Sequence, residues 1–172
     1  LKDYVSTGLE KAEKPDDVKN IKYIKGDIQN AAKCVMASAG KDFIIHLAAR
    51  PSITDSFVNP DDYYDDNVTG TRNMLTAAHA VGIRKFVYAS SSSIYGNNPA
   101  PHKPYHKPDP LNYYAMTKLF GEHLCKQYKN MFDVNYTVVR FFTVYGPEQP
   151  GCDDKGLMIA KFGRLAREGQ PV

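Results

Sequence analysis

The chain contains no tryptophan, and only three of its 172 residues are cysteine. Cys34, Cys125 and Cys152 stand far apart, with no C-x-x-C pair and no histidine–cysteine cluster at ligand spacing, so neither a metal site nor a disulfide framework is expected. Reduced thiols and a cytoplasmic setting are the simplest reading. Long apolar runs are missing as well. Nothing approaches the ~18 residues of a membrane span, and no signal-peptide pattern opens the chain, so no membrane partner is expected. The net charge is only +3, and the lysines and arginines are scattered rather than striped, which argues against nucleic acid as a partner. The glycine-rich turn G-x-G-x-x-G, with which a dinucleotide-binding sheet normally opens, is also absent. What is present is a hydrophobic share of 42% with mixed charge, the composition of a globular domain large enough for a real core.

Four runs read as strands: 21–26, 43–47, 85–89 and 136–141. The second and fourth are nearly continuous apolar or β-branched stretches, as expected where both faces of a sheet are covered. Helical patterns lie between the strands, and the alternation predicts right-handed βαβ units around a parallel sheet. The helix after the second strand is well punctuated. Asn59 can cap it, Pro60 suits its first turn, Asp61 and Asp62 favour its positive end, and Gly82 closes it. A second helix is expected from about 112 to 131 and a last one over about 157–168. Five prolines between Gly96 and Leu111 make that stretch a loop. The opening twenty-odd residues are polar and unpunctuated, and position 1 is leucine. The expectation is a chain that starts inside a longer protein and lacks its first strand–helix unit.

Chemistry concentrates after the third strand. A-S-S-S-S-I-Y-G at 89–96 sets hydroxyls at a strand end, and Y-A-M-T-K follows with Tyr114 and Lys118 one helical turn apart. Residues i and i+4 share a helix face, so phenol and ammonium can approach one bound molecule. Hydroxyl, phenol and ammonium are the groups needed to take a proton from a carbinol while a hydride leaves it. A free phenol has a pKa of about 10, so service as a base near neutrality needs roughly 4 kcal/mol of differential stabilisation. A nearby ammonium in a partly dry site can supply it. Taken alone, Y-x-x-x-K is as readily a surface tyrosine beside a solvated lysine.

Its surroundings resemble those of the extended short-chain dehydrogenase/reductase family, in particular its NAD-dependent nucleotide-sugar epimerases. G-D-I at 26–28, H-L-A-A-R at 46–50, N-P-x-x-Y-Y-x-x-N-V-x-G-T at 59–71, the serine run, Y-x-x-x-K and R-F-F-T-V-Y-G-P at 140–147 occur in family order. The resemblance implies an α/β, Rossmann-type doubly wound parallel sheet, incomplete here, with residues 1–150 as a partial NAD-binding domain and 151–172 as the start of a nucleotide-sugar-binding lobe. It implies Ser91, Tyr114 and Lys118 as the catalytic groups. Cofactor contacts fall on Asp27, Ile28, Leu47, Ala48, Ala49, Arg50, Asp66 and Phe142, together with the catalytic three. Ser91, Ser92, Tyr114 and Thr143 are implied for the UDP-sugar. His46 reads as a core histidine rather than a proton carrier.

Two departures narrow the implied reaction. Relatives that dehydrate sugars carry Asp-Glu after the catalytic hydroxyl, where this chain has Ser92-Ser93. Relatives that epimerise UDP-glucuronate carry an arginine after V-Y-G-P, where this chain reads Glu148-Gln149-Pro150-Gly151. The expectation is therefore C4 epimerisation of a neutral UDP-hexose, in a homodimer built on the helices near 60–81 and 112–131. A related reductase or decarboxylase, or a truncated non-catalytic domain, are the alternatives.

Overall fold

The computed structural model describes residues 3–7, 22–146 and 158–171. It divides into two units, residues 1–140 and 141–172. In the first unit the strands are β1 (Asp3–Thr7), β2 (Lys22–Gly26), β3 (Phe43–His46), β4 (Lys85–Ser91) and β5 (Tyr136–Phe141, its last residue falling to the second unit). The helices are α1 (Ala31–Ser38), α2 (Asp55–Val58), α3 (Pro60–Tyr63), α4 (Gly70–Val81) and α5 (Tyr113–Phe132). A single π-helical turn, Tyr64–Thr69, joins α3 to α4, and a 3₁₀ turn, Ser92–Tyr95, follows β4. In the second unit, α6 spans Met158–Arg167.

The fold is an incomplete Rossmann-type α/β arrangement. Its strands form two sheets, β1-β2 and β3-β4-β5. In the first, β1 and β2 are parallel from Asp3↔Lys22 to Thr7↔Gly26; in the second, β3 and β4 are parallel from Phe43↔Lys85 to His46↔Tyr88. The opening residues, expected to be unstructured in pattern, thus contribute a strand. D-Y-V-S-T carries little apolar signal, and its pairing with β2 is what holds it. On β3, Ile44 and His46 turn inward while Phe43 and Ile45 are exposed, so the alternation is that of a strand covered on one face.

The core lies where α4 and α5 pack on the sheet, around Leu75, Ala77, Phe86, Tyr88 and Cys125. Approach between α5 and β4 is close at Gly121, where a Cβ would lie 2.0 Å from the Tyr88 hydroxyl oxygen. Asn112 caps α5, its side chain accepting from Ala115 N at 2.8 Å. Gly82 closes α4 in the left-handed conformation, φ 66°. Asn59 does not cap as expected, because its side-chain amide donates to Asp55 Oδ1 instead. Among the described residues no helix is long and apolar enough to cross a membrane, and no cluster of possible metal ligands occurs.

Candidate active site

Strand β4 runs two residues beyond its expected end, and this sets the site. Ser90 is buried, and Ser91 leaves the strand as the cap of the 3₁₀ turn. Its Oγ accepts from Ser93 N at 3.2 Å and from Ser93 Oγ at 2.9 Å. Both lone pairs are thereby occupied, and the Ser91 hydrogen is left to donate. Burial is the larger influence on the Tyr114 phenol and raises its pKa, while the nearby Ser91 hydroxyl works in the opposite direction. A donor to the ionised form favours ionisation.

Several neighbours seat Tyr114. The Ser56 hydroxyl oxygen, fully buried at the start of α2, accepts from Tyr114 N at 3.2 Å. Tyr63 meets the Tyr114 ring edge-on at 6.5 Å. One turn further along α5, Lys118 is only 5% exposed, and its Nζ donates to the Ala89 carbonyl at 2.8 Å. Burial pushes the ammonium pKa down to about 8. The last residues of β4 thus bring Ser91 near the Tyr114 phenol and give Lys118 its partner, Ala89 O. Ser92 is half-buried on the 3₁₀ turn beside them.

The remaining first-unit residues gather at the exits of β2 and β3. Asp27 is exposed and accepts from Gln29 N at 2.8 Å, whereas Ile28 is buried in the core. The Ile28 carbonyl is held by Asn73 Nδ2 at 2.9 Å. Leu47 is exposed, and Ala48, Ala49 and Arg50 are half-buried. Asp66 accepts from Arg50 Nε at 2.6 Å and from Gln29 Nε2 at 2.7 Å, while Asp62 pairs with Arg50 Nη2 at 3.1 Å. The Asp66 side chain thus binds one strand exit to the next, and its charge is already answered. Phe142 and Thr143 lie in the second unit, where both are exposed. Glu148 to Gly151 lie outside the described residues.

Sequence reasoning missed Asn67. It is 1% exposed, accepts from Arg50 N at 2.8 Å, and donates to Arg50 O at 3.2 Å and Thr117 Oγ1 at 3.0 Å. Thr117 in turn donates to the Tyr114 carbonyl at 2.8 Å, so one amide links the loop after β3 to the first turn of α5. The only sequence signal was its place in N-V-x-G-T. His46 is buried beneath, its Nε2 3.0 Å from Thr71 Oγ1. Because Thr71 donates onward to Asn67 O at 2.6 Å, the histidine must be the donor in that pair. Burial, then the Lys118 charge, pushes its pKa down to about 3, which fits a neutral core histidine.

Comparison with known proteins places this arrangement. The description "NAD dependent epimerase/dehydratase family" matches residues 2–172. A UDP-glucuronate 4-epimerase from Thermodesulfobacterium geofontis is 41% identical over 156 residues, which are 89% of this chain and 47% of that protein. A UDP-N-acetylglucosamine 4-epimerase from Methanobrevibacter ruminantium, solved with UDP-N-acetylmuramic acid, superposes with a TM-score of 0.85 at 29% identity, covering 90% of this chain and 50% of that one. A UDP-glucuronic acid 4-epimerase from Bacillus cereus, solved with UDP-glucuronic acid and NAD, gives 0.81 at 31% identity, covering 90% and 48%. The chain thus spans about half the length of each of these proteins.

Proposed function

Because the chain belongs to the NAD dependent epimerase/dehydratase family, we propose that the whole protein inverts C4 of a UDP-sugar with NAD as cofactor. The observation that carries this reading is the placing of Ser91 at the end of β4 beside α5, which bears Tyr114 and a buried Lys118 one turn apart, with Lys118 Nζ bound to Ala89 O two residues before Ser91.

The residues present fit the ribose and nicotinamide end of NAD. An ammonium has three donors, and among the described residues Lys118 directs one of them to a protein acceptor, Ala89 O. Two remain for ribose hydroxyls beside the two side-chain hydroxyls. Ala48 and Ala49 offer small side chains after β3, and Asp66 brings no unanswered charge towards a diphosphate. NAD, when bound, supplies the acceptor that takes the hydride and gives it back.

The chain's own groups handle the proton. Tyr114, as phenolate, takes it from the sugar C4 hydroxyl, and Ser91 donates a hydrogen bond to the same reacting oxygen. Burial works against the phenolate, so a cation is needed to complete it. Lys118 supplies that charge from the same helix face. Once the carbon has inverted, Tyr114 returns the proton.

A neutral UDP-hexose fits the Glu148-Gln149-Pro150-Gly151 stretch, which has no basic residue to meet a carboxylate. UDP-glucuronate is the second reading, favoured by the names of two of the relatives. Apolar side chains exposed on α5, Met116, Phe120, Met131 and Phe132, support a homodimer through that helix, which light scattering of the complete protein would detect. To test the activity, the complete protein is incubated with NAD and either UDP-glucose or UDP-glucuronate and the products resolved by NMR. A C4 epimer without net NADH supports the reading. Carbon dioxide release, accumulating NADH or no product at all counts against it.

A further inference from the structure

Beyond the three reacting groups, one half-buried ion pair ties together every element that presents them. Glu122 lies on α5, one turn past Lys118 and two past Tyr114, and its side chain is 12% exposed. Arg140 on β5, 17% exposed, grips it with two bonds, Nε to Oε1 at 2.9 Å and Nη2 to Oε2 at 2.7 Å. The same Oε1 accepts from Ser90 Oγ at 2.6 Å, and Ser90 directly precedes Ser91. Arg140 also reaches the proline-rich loop. Its Nη1 donates to Pro104 O at 3.1 Å, and its guanidinium lies 4.9 Å over the Tyr95 ring, which stacks on His102.

A charge pair partly withdrawn from water is a poor device for stability alone, because desolvation offsets much of its attraction. A two-pronged guanidinium–carboxylate pair is, however, strongly directional. Here it fixes three separations at once: β4 to α5, β4 to β5, and the loop to both. Displacements of about 1 Å at a reacting group are enough to slow chemistry by orders of magnitude. We infer that Glu122 and Arg140 are positioning residues, which hold the strand end bearing Ser91 in register with the helix face bearing Tyr114 and Lys118. Ser90 is the link that carries the constraint to its neighbour. This inference rests on the functional reading above.

The test replaces both charges in the complete enzyme by apolar groups of similar size, Glu122→Leu with Arg140→Met. Such a swap removes the directional grip without leaving a charge unpaired. If the pair positions, the double variant melts near the wild-type temperature and keeps KM within about 3-fold, yet kcat falls about 10–100-fold. The primary isotope effect with C4-deuterated sugar rises as the chemical step becomes limiting. A folded double variant with kcat within about 2-fold of wild type overturns the inference. If the double variant does not fold, Arg140→Lys decides by the same criterion, since lysine keeps the charge and cannot make the paired bonds. Wild-type enzyme that turns over neither sugar overturns the functional reading itself, and the positioning role with it.

Discussion

At the exits of β2 and β3 charge is held in the open: Arg50 is 41% exposed between Asp62 at 54% and Asp66 at 24%. At the exit of β4 charge is held further from water, with Lys118 5% exposed and the half-buried Glu122–Arg140 pair one turn along α5. The first cluster is screened by water and costs little to rearrange, which suits a surface that closes loops around a ligand. In the second, every charge is fixed by a named partner and its energetics are steep. On the proposed function, the contrast separates a region that would hold a molecule from one that would act on it.

The largest effect is expected in the buried region to which the proposed function assigns the chemistry. Tyr114→Phe in the complete enzyme should lower kcat by about 10²–10⁴ while KM stays near wild type, as steady-state kinetics would show. Lys118→Met should lower kcat by about 10², yet leave unfolding free energy within about 1 kcal/mol of wild type in denaturant melts. The reason is the sign of the linkage. Lys118 is pushed down to about 8 from the usual 10.5, so its burial cost is fully present below pH 8 and fades as pH rises towards 10.5. Removing the ammonium removes that cost along with the Ala89 bond.

Gly121→Ala should destabilise the fold by about 2 kcal/mol, because the added methyl must displace the buried Tyr88 ring or the helix. His46 gives a pH signature. Its folded pKa of about 3 lies below the ordinary 6.5, so the unfolded chain takes up a proton first as pH falls. Stability should drop by about 1.4 kcal/mol per pH unit below 6.5, and His46→Asn should flatten that slope in thermal melts. Smallest of all, Arg50→Gln at the exposed cluster should change stability by less than about 1 kcal/mol. A larger loss there, or a negligible one at Gly121, would break the contrast between the two regions.

How much of this is legible in the sequence follows the same physics. Strand β4 and helix α5 announced themselves through an aromatic and β-branched run and a helical pattern from about 112 to 131, and the i, i+4 rule was enough to put Tyr114 and Lys118 on one face. Strand β1 was not legible, because D-Y-V-S-T owes its strand state to pairing rather than propensity. The π-turn was hidden too. Y-D-D-N-V-T contains no breaker, yet that turn is where Asn67 enters the core. Acceptors such as the Ala89 carbonyl leave no trace in side-chain patterns. Nor does sequence spacing reveal that Glu122 and Arg140, on a helix and the strand after it, are partners.

The measurement closest to the central claim is a titration of Tyr114 itself, by NMR of ring-labelled tyrosine in the complete protein, compared with Ser91→Ala. If the Ser91 hydrogen is given to the phenol in the free enzyme, the variant's Tyr114 titrates at higher pH than the wild type's, and the alkaline shift appears in the pH dependence of kcat/KM. Identical titration curves in the two proteins would contradict the account, because Ser91 and Tyr114 would then share a neighbourhood without sharing a proton.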